Sequence, residues 1–455
     1  MTTDEQFSPM TTTPIPPADQ DPAAELEPGR ALPPPSRYDR IRTELVSGGT
    51  EHPVDPDDEA IGGTWAGRLA GLAILGLFAW LAVTNGWMFL FVVGVLVAVF
   101  LHEAGHYLTA RLTGMKATQF FLGFGPRLWS FKRGETEYGV RLLPLGAFVK
   151  ILGMTRMDEV DREDEGRTYR QKSYPRRMLV ISAGSLMHML LAIVLLFAVF
   201  ASKGQLEQVP GAEVGAAPAG AAAAAGVREG DVILAIAGQA VDGPEEMGEV
   251  IRTFEPGTTV DILVQRDGDE LTLPAVLGTN EIAGSPHVGE AFLGVSSSTA
   301  TEWREVSLGS AAAASVTELF PVAWESTKGV VKVLNPVNIW NHLTGATDDI
   351  TTRPTTVVGV TQVSGAIGAS EGIAGVTYLL AALNVFVGVF NMFPLLPLDG
   401  GHAAIATYER VREGRSRRRY FADVERLMPF AMGVIALLLF LFMSGLYLDI
   451  ARPLR

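Results

Sequence analysis

Apolar residues gather in five runs, at about 69–84, 87–109, 178–200, 376–398 and 428–447. Each approaches the ~20 residues needed to cross the hydrocarbon of a bilayer. The pattern therefore predicts a polytopic α-helical membrane protein with about five transmembrane helices. Residues 1–60 are the opposite case, rich in Pro, Thr, Asp and Glu and with no apolar periodicity. Nothing there can bury a core, so 1–65 reads as a disordered tail. That tail lacks the basic region of a cleaved secretory signal, so the first apolar run is expected to stay as an anchor.

The polar segments set an expected orientation. Residues 110–177 carry 14 Lys or Arg against 8 Asp or Glu, and arginines recur at 410, 412, 415, 417, 418 and 419. Excess positive charge marks the cytoplasmic side. The acidic stretch 202–320 belongs outside, so the N-terminus is expected to be cytoplasmic and the C-terminus extracytoplasmic. The expected order is a tail at 1–65, a transmembrane hairpin at 66–110, a cytoplasmic loop at 111–177 and a span at 178–201. An extracytoplasmic domain at 203–298 follows, then interfacial or re-entrant segments at 299–375. A span at 376–402, a basic cytoplasmic loop at 403–427 and a last span at 428–447 complete it.

Shorter patterns fill in the loops. Arg127–Lys132 and Glu137–Leu143 alternate around the turn Arg133-Gly134-Glu135-Thr136, which is a β-hairpin signature; a second strand-like run follows at Phe148–Leu152. A plain surface loop is the other reading. If the hairpin forms, it could hold an extended segment of a substrate as an added strand. In the outer domain, Gly226–Gly238 reads as turn, buried strand and turn, after an Ala-rich segment at 216–225. Pro321–Val333, Asn335–Trp340 and Pro354–Val363 are of intermediate hydrophobicity.

Candidate chemistry begins where the second run passes straight into His102-Glu103-Ala104-Gly105-His106. On a helix, His102 and His106 share one face and can bind one metal, with Glu103 beside them as general base. Residues of this kind at a helix end could also sit harmlessly among lipid headgroups. The fourth run supplies a carboxylate. It ends in Asn391-Met392-Phe393-Pro394-Leu395-Leu396-Pro397-Leu398-Asp399-Gly400, where two prolines interrupt the helix. Broken backbone at membrane depth is tolerated only when buried in protein or lining a wet cavity. Asp399 there is costly unless paired or metal-bound, although it could simply mark a helix boundary. Two His and one carboxylate with an open fourth position is the pattern of a catalytic zinc site.

Composition narrows the alternatives. A mean hydropathy of +0.24, with 48% hydrophobic residues, is too apolar for an ordinary soluble chain. The net charge of −14 and the lack of a basic patch with interleaved aromatics argue against nucleic-acid binding. With no cysteine in 455 residues, any metal must take His and carboxylate ligands.

Together, HEAGH at 102–106, NMFPLLPLDG at 391–400 and the GVREGDVILAIAG run resemble the site-2 protease family of intramembrane metalloproteases, especially bacterial members with an extracytoplasmic PDZ domain. The resemblance covers about 87–450. It implies that His102, His106 and Asp399 bind one Zn2+ per chain and that Glu103 is the general base. It places Asn391 at the substrate backbone or the developing oxyanion. It also implies a PDZ-like α+β domain, a membrane-associated β-region, and a bacterial plasma-membrane location. The implied activity is zinc-dependent intramembrane endopeptidase action on the transmembrane segments of membrane-anchored regulators, such as pre-cleaved anti-sigma factors.

One departure stands out. Where the family usually has Gly-Pro-x-x-Asn, this chain reads Gly184-Ser185-Leu186-Met187-His188. His188 has three readings: a substituted substrate contact, a polar bond to a neighbouring helix, which is favoured, or a neighbour of the metal site. His402, one turn after Asp399, is expected to support the site rather than ligate. Two competing classes remain. One is a non-catalytic membrane PDZ scaffold, which gains only from Ser185 and His188. The other is a transporter, for which the expected internal repeats are missing.

Overall fold

The computed structural model describes residues 64–154, 160–215, 220–282, 286–347, 350–416, 420–422 and 427–453. The tail before Thr64 and the arginines at 417–419 lie outside the described residues. Among the described residues, five helical stretches are long and apolar enough to cross a membrane: Gly67–Thr84, Gly86–Leu112, Tyr174–Lys203, Val357–Asn391 and Pro429–Ala451.

The first two helices, α1 (Trp65–Thr84) and α2 (Gly86–Leu112), meet at Asn85. Its side chain accepts from the backbone N–H of Trp87 and Met88 and so caps α2. Strands β1 (Ala117–Arg133) and β2 (Thr136–Ile151) follow, joined at Gly134-Glu135. They are longer than the alternation suggests, and they are folded over. Phe120 pairs with Val149 on one side and with Tyr138 on the other, while Phe131 also pairs with Tyr138. The two strands thus form four rungs in the order 127–133, 137–143, 119–122 and 147–151. The bend in β1 needs Gly123 (φ +86), where a Cβ would lie 2.6 Å from the Leu143 carbonyl oxygen.

Helix α3 (Tyr174–Lys203) leads into a second antiparallel unit. Its elements are β3 (Gln205–Val214), α4 (Gly220–Ala225), β4 (Val232–Ile236), β5 (Gln239–Ala240), α5 (Pro244–Arg252), β6 (Thr259–Arg266), β7 (Asp269–Val276), β8 (Gly278–Thr279), β9 (Ala291–Phe292) and β10 (Ser297–Arg304). The main sheet runs β10-β3-β4-β6-β7, with β5 paired to β4. Ile233, Ile236, Ile262, Val264 and Leu277 are buried in its core. Asp231, buried at the start of β4, accepts two hydrogen bonds from the Arg266 guanidinium, both at 2.7 Å, and one from the Arg228 N–H.

Burial alone would push the Asp231 carboxyl up, but Arg266 and the Arg228 N–H hold it below the usual carboxylate range. A lowered folded pKa stabilises above the unfolded pKa, and the gain is lost as pH falls through the folded value. Asp231→Asn should therefore cost about 1.5–3 kcal/mol at neutral pH. The difference from wild type should shrink once the pH drops below the carboxylate range. Amide exchange of β4 and β6 at the two pH values reads this directly.

Among the described residues, three α-helices and a short 3-10 turn (Ile350–Thr352) cross the interval between the sheet and the fourth span; the α-helices are α6 (Leu308–Thr317), α7 (Leu319–Val333) and α8 (Pro336–Thr344). Phe320, Trp324, Val337 and Trp340 on α7 and α8 are well exposed. Next, α9 (Val357–Asn391) starts well before the expected 376 and kinks at Gly372. Helices α10 (Asp399–Ser416) and α11 (Met428–Ala451) complete the chain. Buried Asp449 on α11 accepts from the N–H of Thr356 and Gly359 and from the Thr356 hydroxyl, fastening α11 to the start of α9.

Candidate metal centre

Helices α2, α3 and α10 are drawn together by one apolar cluster. It holds Ala110 and Met115 after the HEAGH segment, Val180 and Ile181 of α3, and Ala403 and Ala406 of α10. A buried ion pair adds to it: Arg177 of α3 donates to Glu409 of α10, whose other oxygen accepts from the N–H of Ala422. Glycines set the approach of α2 and α3. A Cβ on Gly105 would lie 2.8 Å from the Ala183 carbonyl oxygen, so small residues at the crossing let the backbones meet.

The loop before α10 brings in the carboxylate. Asn391 ends α9, and residues 392–398 fold back so tightly that a Cβ on Gly400 would lie 2.3 Å from the Met392 and Phe393 carbonyl oxygens. Asp399 therefore opens α10 against the HEAGH face. His102 Nε2 and His106 Nε2 are 3.2 Å apart, and each is 3.4 Å from Asp399 Oδ2. A tetrahedral centre about 2.0–2.1 Å from each donor has edges of about 3.3–3.4 Å. The three donors thus stand where one face of such a centre requires them.

Two further observations fit a metal. Asp399 Oδ2 is buried and has no hydrogen-bond partner among the described residues. His106 Nδ1 lies 2.7 Å from the Val180 carbonyl oxygen, so Nδ1 donates and Nε2 keeps its lone pair for a ligand. Among the described residues, His102, His106 and Asp399 form the one group of three or more such donors close enough to hold an ion. Glu103 sits beside it, with Oε1 4.0 Å from His102 Nε2. His402 stands outside the group, and Asn391 is half-buried at the end of α9.

Two contacts around this centre were not readable from motifs. The first is Asn384 of α9, whose Oδ1 lies 2.8 Å from His188 Nδ1 and whose Nδ2 donates to the Leu380 carbonyl at 2.7 Å. Because Nδ2 is committed, Oδ1 accepts and His188 Nδ1 carries the proton. His188 thus bonds a neighbouring helix, the favoured expectation, while its ring packs 5.0 Å from that of His102. A lone Asn inside an apolar run is the signal that could have found it. The second is the Arg177–Glu409 pair, hidden because each residue alone reads as a loop charge. Asn384→Leu should lower stability by about 1–3 kcal/mol, since it strands the His188 N–H in the bundle. A fall in the thermal unfolding midpoint, with zinc content unchanged, is the expected result.

Comparison with known proteins agrees with this architecture. Residues 90–440 match the model of Peptidase family M50. The chain is similar to Zinc metalloprotease Rip1 of Mycobacterium tuberculosis (strain ATCC 25618 / H37Rv), with 32% identity over 404 residues. That match covers 80% of this chain and 97% of the relative. It is also similar to Zinc metalloprotease Rip1 of Mycolicibacterium smegmatis, with 32% identity over 398 residues and the same two shares. Matches of this extent, on a chain with five membrane-length helices and a group able to hold zinc, place it in peptidase family M50, the site-2 protease family, as a membrane zinc metalloprotease.

Proposed function

We propose that the chain is an intramembrane endopeptidase that cuts the transmembrane segments of membrane-anchored regulators, with His102, His106 and Asp399 as the zinc ligands. The triangle of donors with 3.2 and 3.4 Å edges, set among membrane-length helices, carries this reading. When bound, zinc supplies a Lewis acid that polarises the scissile carbonyl and lowers the pKa of a water to about 7. Glu103 takes the proton from the attacking water and hands it to the leaving amine. Asn391 makes no side-chain hydrogen bond to the described residues, which leaves its amide free for the substrate backbone or the developing oxyanion. The substrate helix must unwind to expose a bond. Exposed rungs such as 127–133, at the rim of the folded hairpin, offer an edge on which the unwound segment can add as a strand.

Charge on the loops favours a cytoplasmic N-terminus, with the sheet unit and the C-terminus extracytoplasmic. That outer unit, with its Gly226–Gly238 turn-strand-turn, is read as a PDZ-like domain that admits only substrates already trimmed outside, of which anti-sigma factors are one class. Purified full-length protein should hold about one zinc and cut a model transmembrane substrate, and chelation should stop both. Asp399→Ala should lower zinc content sharply. A wild-type protein that binds no metal overturns the reading and puts the non-catalytic PDZ scaffold first.

A further inference from the structure

A second site lies away from the zinc ligands, at the end of α2. A cavity of about 540 Å³ is lined by Arg111, Phe131, Arg133, Gly134 and Tyr138. We propose that it binds the headgroup of an anionic phospholipid in the leaflet where α2 ends.

The position comes first. Arg111 is the penultimate residue of a membrane-length helix, one turn past Leu108 and next to Leu112, both widely exposed. Trp129 and Phe131, two residues apart on one face of β1, are also exposed, with ring centroids 5.1 Å apart. Exposed leucines running into Trp, Phe, Tyr and Arg is the sequence of groups met on passing from acyl chains to headgroups. The cavity opens at that boundary.

Its charge comes second. Arg111 Nη1 donates to Tyr107 Oη at 2.9 Å, and Tyr107 in turn shares a hydrogen bond with Tyr138. The guanidinium is thereby steered by phenols, with N–H donors left over. Neither Arg111 nor Arg133 forms an ion pair with a carboxylate among the described residues. The nearby Glu135 has both oxygens committed to Arg167. Two guanidinium groups that no described carboxylate pairs offer the planar donor forks that suit a phosphate.

Size decides between sources of that phosphate. The cavity falls in the range of sites for ligands of several hundred Å³, far more than inorganic phosphate fills. The apolar wall of Phe131 and Tyr138 suits a glycerol backbone and the first methylenes. Two cations with no ion-paired carboxylate among the described residues favour a lipid with net negative charge over a zwitterion.

The test uses the full-length protein in a neutral detergent, with lipid retention read by native mass spectrometry. Phosphatidylglycerol should be retained over phosphatidylcholine by roughly tenfold. Arg133→Gln, at the exposed end of β1, and the Arg111→Gln/Arg133→Gln pair should each reduce that preference, the pair to near parity. Arg133→Lys should keep part of it. Millimolar inorganic phosphate should not displace the lipid. Equal retention of the two lipids by wild type overturns the proposal, as does a preference that survives the double substitution. Displacement by phosphate or by an acidic peptide overturns it too, and assigns the cavity to a free anion or to a protein segment.

Discussion

Glu103→Ala will lower cleavage of a transmembrane substrate by about 10²–10⁴-fold while zinc content stays at the wild-type level. The two halves of that result have separate causes. The side chain lies outside the donor triangle, 4.0 Å from His102 Nε2, so its loss leaves His102, His106 and Asp399 in place. What disappears, on the proposed mechanism, is the proton carrier. Helix geometry puts Glu103 three residues before His106, on the side of the histidine pair rather than opposite it. Among the described residues the other carboxylate at this centre, Asp399, belongs to the group able to hold the ion. Glu103→Gln should behave alike, since the amide keeps the shape and cannot accept a proton. Elemental analysis with single-turnover cleavage separates the outcomes. Undiminished cutting by either variant would remove Glu103 from the chemistry, and lost zinc would make it a ligand instead.

That experiment tests a residue whose place was readable in advance, because a four-residue spacing on a helix fixes which side chains converge. Other parts of the molecule obey contacts that sequence periodicity does not carry. The start of α9 is one. Residues 357–370 contain Gly359, Ser364, Gly365 and Gly368, which dilute the apolar signal and conceal a membrane-length helix. In the structure these small residues face neighbours: a Cβ on Gly368 would lie 2.3 Å from the Trp87 ring, and one on Gly365 would lie 2.8 Å from Met88. Small residues mark helix crossings in a bilayer as surely as leucines mark lipid contact. The folded hairpin is another. Alternation between 127 and 143 gave the turn, whereas the return of 119–122 between two other rungs depends on long-range pairing. His188 shows the limit most plainly. Its departure from the family pattern was visible, but its partner Asn384 lies 196 residues away.

Gly184→Ala will cost the protein its zinc, by a loss of affinity of at least about 100-fold, although the substitution adds one methyl group to a helix. Supporting residues around a metal commonly cost 10–100-fold when changed, and here the added atom meets the proposed ligands themselves. A Cβ at this position would lie 2.3 Å from His102 Cε1 and 2.5 Å from the Nε2 atoms of both His102 and His106. Real contacts do not come so close, so rings or helix must move. The rings are held. His106 is bonded to the Val180 carbonyl, and His102 packs between His106 and His188 at centroid distances of 4.8 and 5.0 Å. The helix is held as well: Gly105 lies against the Ala183 carbonyl on one side, and Gly388 lies against Ser185 and His188 on the other. Alanine has the better helix propensity, so the variant should keep its helical circular dichroism while failing a zinc competition against a chelator. Gly76→Ala, in a span where a Cβ would meet nothing within 4 Å, is the matched control and should hold zinc like wild type. If Gly184→Ala instead competes for zinc as well as the wild-type protein does, the two imidazoles do not meet α3 in this way, and the close packing of α2 on α3 is not what shapes the metal site.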